Sequence, residues 1–499
     1  MAGFDFLGSL PAIVPEVGLT ILAIIILFLD VYLPGERRRN IAWVTVLGLL
    51  LLAVTPLVWA PPADPASQLV WGGMVRHDTL AQIFRVMILL GAALTALMSI
   101  DTKAHGRQGE FYLILVVATL GACLVSAAAD LVMVFLGLET LSIPLYILAA
   151  FRRDDLRSAE SGMKYFLFGA FASALMLFGL SILYGFSGQT SIYALAEVLP
   201  AASGEAVLPV LAALTLVVVG FGFKIGAAPF HFWTPDMYEG APTPVTAFVS
   251  VASKAASFAL LVRFLIAVFP QSLVVGGHEI QAFWVSLAAL MAVISMTLGN
   301  VLALSQRNIK RLLAYSSIAQ AGYALIGVAA IQSQTEQGVA SVGFYLFMYT
   351  FTNLLAFAVV VFFSEATGSE TIADLAGLNR RSPWLALMMT IALLSLGGIP
   401  PTAGFFGKFF LFNAAVQADL TWLAIVGVLN AIVALYYYLI VIKVMYVDRS
   451  ADEDQPIPLS RASGWALALP CLAVLLLGTV AAQPVFEWAV QGALALFQA

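Results

Sequence analysis

Two lysines, Lys224 and Lys254, lie inside consecutive apolar runs of the stretch GFGFKIGAAPFHFWTPDMYEGAPTPVTAFVSVASKAASF. An ionisable side chain at bilayer depth costs about 2.5 to 3.5 kcal/mol on insertion scales and persists mainly where it is useful. Lysine can release its proton when desolvated and arginine effectively cannot, so this residue choice favours proton transfer over a fixed charge. A third lysine, Lys408, ends the run LLSLGGIPPTAGFFGK, and one carboxylate, Glu139, stands near the middle of DLVMVFLGLETLSIPLY. Glu139 and Lys224 are the expected charge pair, with a static pair that locks two helices as the alternative. Lys254 has no carboxylate in its own helix and lies too deep to snorkel easily to an interface. His231 follows Pro229 at the end of a broken helix, where a loop histidine and a proton relay are both open readings. Lys164 begins the sixth span and reads either as a loop-side anchor or as a relay. Arg85 and Arg263 lie nearer span ends and read as anchors or fixed charges. Glu139 is the one carboxylate expected inside the membrane.

These charges need a membrane scaffold. The chain has 499 residues, of which 62% are hydrophobic and only 10% charged, against about 25% charged in a soluble domain. It is therefore read as an all-α integral membrane protein. At about 20 apolar residues per span, helices are predicted near 10–33, 41–60, 80–99, 111–128, 130–149, 164–186, 208–230, 242–269, 282–304, 311–331, 341–363, 383–416 (broken), 421–447 and 464–482. That makes fourteen transmembrane helices, with a tight hairpin between the fourth and fifth. The net charge of -5 says little about partners, and nucleic acid is not indicated. Cys123 and Cys471 lie in apolar runs outside any Cys/His cluster, so no disulfide, zinc or iron–sulfur site is expected. The sequence carries no phosphate-binding, dinucleotide, haem or quinone signature, and redox chemistry is not expected in it.

The basic residues test this count, because misplaced spans would scramble their distribution. Alternate loops carry Arg37 to Arg39, then Lys103 with Arg107, Arg152 to Lys164, Arg307 to Arg311, Arg380 with Arg381, and Lys443 to Arg461; the intervening loops carry only Arg76. Both termini are thus expected outside, with the basic loops in the cytoplasm. Two spans combine helix breakers with a lysine, which points to discontinuous helices at a conduction site. They are the seventh, with Gly220, Gly222, Gly226 and Pro229, and the twelfth, with Gly397, Gly398, Pro400, Pro401, Gly404 and Gly407. They lie five spans apart, an odd number, so a repeat of that size is inverted in the membrane. The expected division is 1–105 for helices one to three, 106–270 and 271–448 for two inverted five-helix repeats, and 449–499 for the last helix. The tenth span, LLAYSSIAQAGYALIGV, has no counterpart of Glu139; its polar groups are Tyr315, Ser316, Ser317, Gln320 and Tyr323.

With GFGFKIGAAPFHFWTPDMYEGAPTPVTAF, QRNIKRLLAYSSIAQAGY and SLGGIPPTAGFFGKF all present, nearly the whole chain resembles the antiporter-like membrane subunits of respiratory complex I, the bacterial NADH:quinone oxidoreductase. The run HFWTPDMYEGAPTPV, the length, and a lysine at position 408 where the M type has glutamate match the N type. The longer L type ends in a lateral amphipathic helix, and none is expected after Trp465. The resemblance implies a proton-translocating subunit with two half-channels, Glu139 and Lys224 as the charge pair, Lys254 as central relay and Lys408 toward the exit. It gives added weight to His231 and Lys164. It further implies a bacterial inner membrane location, subunits M and K as neighbours, and no cofactor in this subunit, with NAD, FMN, iron–sulfur clusters and quinone elsewhere in the complex. A stand-alone Mrp-type cation/proton antiporter and a structural scaffold are the rival readings.

Overall fold

The computed structural model describes residues 6–199, 207–331, 335–452 and 454–497. They are helical apart from connections and two short hairpins, Leu69–Val70 with Val75–Arg76 and Val274–Val275 with His278–Glu279. In chain order the long elements are α1 (Val14–Tyr32), α2 (Arg39–Val58), α3 (Thr79–Ser99), α4 (Gly109–Ala127), α5 (Leu131–Ala149), α6 (Leu156–Ser187) and α7 (Val207–Ile225). After the short α8 (Trp233–Gly240) come α9 (Thr243–Val268), α10 (Ile280–Ala303), α11 (Ile309–Ala329), α12 (Gln337–Thr367), α13 (Pro383–Gly397), α14 (Ala403–Gln417), α15 (Thr421–Tyr446), α16 (Arg461–Leu477) and α17 (Ala482–Phe497).

Among the described residues twelve helices are long and apolar enough to cross a membrane, or thirteen if the bent pair α16–α17 counts as one span. Twelve of the fourteen expected spans coincide with these. The remaining two are the split pair α13–α14, of which α13 is a short apolar helix, and α16, which turns by 84° into α17. α17 is an element beyond the last expected span, which ended at 482. Its buried stripe of Ala482, Phe486, Ala489, Ala493 and Leu496 recurs at helical spacing, and Phe486 stacks on Phe410 at 3.9 Å.

Burial sorts the helices into an inner and an outer set. Along their apolar lengths α3, α11 and α12 are almost wholly buried and α9 nearly so, whereas α1, α6 and α15 bury only about a third of their residues. The outer helices present large apolar side chains such as Val31, Phe171 and Ile432, as expected where lipid is the solvent. Lys254 sits on the inner set, Glu139 and Lys224 on helices of intermediate burial, and Lys164 on the outer α6. The tight turn between α4 and α5 is present, and Asp130 caps α5 by accepting from the Val132 amide at 2.8 Å.

Two breaks interrupt this packing and share one local geometry. α7 stops at Ile225, five residues before the expected end, because Gly226 takes φ +66°. The Gly226 and Ala227 amides then fold back onto the Phe223 and Gly222 carbonyls. α13 stops at Gly397 with Gly398 at φ +86°, and the Gly398 and Ile399 amides fold back onto the Ser395 and Leu394 carbonyls. Both are glycine caps that satisfy two of the terminal carbonyls and leave the last two free. A proline follows three residues after each glycine, at Pro229 and Pro401, and prevents the helix from resuming at once. α9 carries a third irregularity, a π-turn at Val249–Ser253 immediately before Lys254, where a continuous helix is expected from the sequence. Such turns re-aim the residues after them and recur at functional sites.

Candidate functional site

Lys224 occupies the last turn of α7, where the negative end of the helix dipole favours a cation. It is buried, and its Nζ donates to the Ser142 hydroxyl on α5, which itself donates to the Leu138 carbonyl. Nζ lies 5.3 Å from the Phe223 ring centre and 5.7 Å from that of Tyr146. Glu139 is one turn before Ser142 on α5. It is half-buried, with Oε1 enclosed and without a hydrogen-bond partner. The two charges are close enough to act on each other electrostatically, yet no ion pair within 4 Å joins them among the described residues. Ser142 takes the place expected for Glu139 because Lys224 meets α5 one turn further along. A hydroxyl needs no counter-charge to be buried, so this contact leaves the carboxylate unengaged.

Lys254, the first residue after the π-turn, is buried between α9 and α11. Its Nζ donates to the carbonyl of Ser317 at 2.7 Å and to the hydroxyl of Ser317 at 2.6 Å. The same hydroxyl accepts from Tyr349 of α12 and is 3.1 Å from the Tyr238 hydroxyl of α8. An ammonium held by dipoles alone, with no carboxylate in contact, is poised between charged and neutral states in a way that an ion-paired one is not.

Lys408, in α14, reaches back across the break. Its Nζ donates to the Leu396 and Gly397 carbonyls at 2.9 and 3.1 Å, the two that the glycine cap of α13 leaves free. It lies 4.7 Å over the Tyr323 ring centre. The Leu396 carbonyl is shared with Gln320 Nε2 at 3.2 Å, and Gln320 Oε1 accepts from the Tyr345 hydroxyl. Ser317 and Gln320 are one turn apart on α11, as are Tyr345 and Tyr349 on α12. Two facing helices therefore carry two hydrogen-bonded sets, one running from Lys254 to Tyr349 and one from Tyr345 to Lys408, with one helical turn between the two tyrosines. Toward Lys224 the connection is aromatic: Tyr146 packs against Tyr165, Tyr165 stacks on Trp233 at 4.4 Å, and Trp233 meets Tyr238.

The remaining candidates lie outside this line. His231 is buried in the turn after Gly226 with Nδ1 unpartnered, and burial holds its imidazole below the ordinary histidine range against a hydrogen bond to Pro229. Lys164 joins a surface network, 2.6 Å from both Glu160 and Asp236, and Asp236 in turn pairs with Arg311 at 2.7 Å. Arg263 is fully buried and pairs bidentately with Asp78 at 2.6 and 2.8 Å, which makes it a fixed charge. Arg85 pairs with Glu16 at 2.7 Å, both buried, so Glu139 is not the one carboxylate inside the helical body. Ser142, Tyr238, Tyr345 and Tyr349 were not singled out from sequence. A Ser or Tyr within an apolar run is common, and only the register of neighbouring helices reveals which of them face a lysine.

Residues 128–434 match a family model described as NADH:quinone oxidoreductase/Mrp antiporter, TM. The chain is 44% identical over 451 residues to NADH-quinone oxidoreductase subunit N of Trichlorobacter lovleyi, covering 89% of each. It is 41% identical over 493 residues to the subunit of the same name from Moorella thermoacetica, covering 98% of this chain and all of the relative. Among solved structures, a chain of respiratory complex I from Thermus thermophilus with bound aureothin is similar at a TM-score of 0.76 and 33% identity, over 94% of this chain and 98% of that one. Buried lysines at two broken helices, the match over more than half the chain and relatives matched at nearly full length together place this chain in the subunit N family of NADH-quinone oxidoreductases.

Proposed function

We propose that this chain moves protons across the membrane as the N-type subunit of a redox-driven NADH:quinone oxidoreductase, with Lys224, Lys254 and Lys408 as proton carriers and Glu139 as the charge that biases Lys224. The observation that carries the reading is the pair of hydrogen-bonded groups, Lys254 with Ser317 and Tyr349, and Lys408 with the Leu396 carbonyl, Gln320 and Tyr345, which stand one helical turn apart on facing helices. Each partner offers a hydroxyl, an amide or a carbonyl that can exchange or orient a hydrogen bond. A proton leaving Lys254 takes its positive charge toward Lys408, whose free helix-end carbonyls are arranged to receive an ammonium. Charge on Lys224 disfavours charge on Lys254, and Glu139 offsets it, so the two lysines can be loaded alternately. A transported sodium ion would instead want oxygen ligands, whereas the oxygens around Lys254 and Lys408 are already taken by ammonium groups of the chain.

The two caps at Gly226 and Gly398, each with a proline three residues on, support two copies of one inverted unit within a fourteen-helix plan, although Lys224 precedes its break and Lys408 follows its own. The division at 105, 270 and 448 belongs to this reading, as do outward termini, subunits M and K as neighbours, a bacterial inner membrane location, and redox cofactors held by other subunits. His231 and Lys164 are assigned as relays of the first half-channel.

The test is Lys254→Arg in the assembled complex. Arginine keeps the charge and much of the bulk but cannot release its proton. The variant is expected to assemble normally and to lose most NADH-driven proton pumping in reconstituted vesicles. Pumping like the parent would show that position 254 needs only a positive charge and would end the relay assignment.

A further inference from the structure

On the basic-loop face, the ends of several helices surround a depression open to solvent, with a volume of about 740 Å³. Lys103, Arg152, Asp155, Arg157, Glu239 and Glu365 supply its charged wall, and Glu370 and Lys310 lie at its floor. Lys310, counted as a loop cation from sequence, is in fact only 2% exposed. Its Nζ donates to the Ala241 carbonyl at 2.8 Å and to Glu370 Oε1 at 3.0 Å. Glu370 is held in place from both sides: its second oxygen faces Asn308 Nδ2 at 3.4 Å, and its carbonyl accepts from the Ile309 amide.

Three features separate Lys310 from an ordinary loop-side anchor. It occupies the first turn of α11, where the helix dipole disfavours a cation. Its neighbour Arg311 already does the anchoring, pairing at the surface with Asp236 and Glu239. And Lys310 lies seven residues, two turns or about 10 Å along one helix face, from Ser317, the residue that holds Lys254. Ala241 likewise comes three residues after Tyr238, whose hydroxyl meets Ser317.

Resting on the proton-transfer reading above, we propose that this depression is the proton intake of the Lys254 site, with Glu370 as the acceptor at its floor and Lys310 as the gate behind it. Glu370 takes a proton from solvent and becomes neutral, which breaks the ion pair and frees the Lys310 ammonium to give its own proton inward to a neutral Lys254. Glu370 then passes its proton to Lys310, and the ion pair is restored. One proton enters from solvent and one reaches Lys254, with no net change at the pair.

The test uses the intact complex in vesicles whose basic-loop face is outward, with Lys254→Arg measured alongside. Glu370→Gln is expected to slow pumping about 100-fold, the lower end of the scale of a lost acid–base group, with the deficit greatest at alkaline outside pH and shrinking toward acid pH, where protons reach Lys310 unaided. Glu370→Asp should recover most of the rate. Lys310→Arg keeps an ion pair with Glu370 but cannot release a proton, and is expected to lose pumping at every pH while assembling normally. Parental pumping by Lys310→Arg, or a Glu370→Gln deficit that does not vary with pH, would reduce the pair to a structural contact and overturn the intake. If that occurs while Lys254→Arg still abolishes pumping, the intake fails and the relay stands. If Lys254→Arg also pumps, the wider reading fails with it.

Discussion

Ser317→Ala isolates the one hydroxyl on which three groups converge. In the parent its oxygen holds the Lys254 ammonium at 2.6 Å and meets the Tyr349 and Tyr238 hydroxyls, each at 3.1 Å. Alanine leaves the carbonyl of residue 317, 2.7 Å from Nζ, as the one remaining acceptor of Lys254 among the described residues. A hydrogen bond to a charged group is worth about 1.5–3 kcal/mol, so loading a proton onto Lys254 becomes harder by about that amount. Carried into the barrier of a rate-limiting transfer, this is a slowing of about 10- to 150-fold. The Tyr349 hydroxyl also loses its acceptor. Ser317→Thr should restore the hydroxyl and most of the rate, which separates loss of the relay from loss of packing. The assay is the initial rate of NADH-driven proton uptake into sealed vesicles, normalised to assembled complex. Parental pumping by Ser317→Ala at parental assembly would refute the claim that Lys254 works through this hydroxyl.

The two half-helices at the second break touch at Gly404, where an added methyl would fall 1.7 Å from the Ser395 carbonyl oxygen. Gly404→Ala is therefore expected to cost about 1–3 kcal/mol by overpacking and to lower the melting temperature of the complex along with its pumping; an unchanged melting temperature would contradict this contact. Asp78→Asn leaves Arg263 and Arg76 buried without their shared counter-charge, a loss of about 3–5 kcal/mol that should appear as poor assembly. Burial raises the Asp78 carboxyl, but Arg263 outweighs it and holds the group below the ordinary carboxylate range. The pair's contribution is accordingly complete above about pH 4 and is lost only as pH falls through the lowered value. Thermal unfolding at pH 5 and pH 7 should show equal contributions from this pair. Cysteines placed at Asp154 should react only with reagents that reach the cytoplasm, and those at Gln189 with impermeant external ones; the reverse would invert the topology.

Much of the architecture could be read from apolar length alone, since the bilayer fixes how many residues a helix needs and the alternating basic loops check the count. The breaks were visible too, because glycine and proline act locally: Gly226 and Gly398 end their helices whatever surrounds them. The π-turn before Lys254 was not, since VSVAS has nothing in its composition to distinguish it from ordinary helix. The lysines announced themselves by the cost of burying charge, but their partners did not. That Lys224 meets Ser142 and not Glu139 depends on the relative height of α5 and α7, a tertiary quantity with no local signature. For the same reason Lys310 read as a loop cation: two adjacent basic residues look alike in sequence, and packing decided that Arg311 faces water and Lys310 faces inward. Glu16 escaped notice because it falls at the edge of its apolar run, and its burial depends on Arg85 from another helix.

The cradle of Lys408 is made of main-chain carbonyls at Leu396 and Gly397, and main chain cannot be deleted by exchanging side chains. Leu396 could be any residue that ends a helix here and would present the same oxygen. A survey of this region by alanine replacement would record Lys408 and Gln320 as sensitive, pass over the atoms that bind them, and give an incomplete map of the site. Those atoms become open to perturbation only by moving the helix end itself, or by backbone ester substitution, which weakens a chosen carbonyl without touching any side chain.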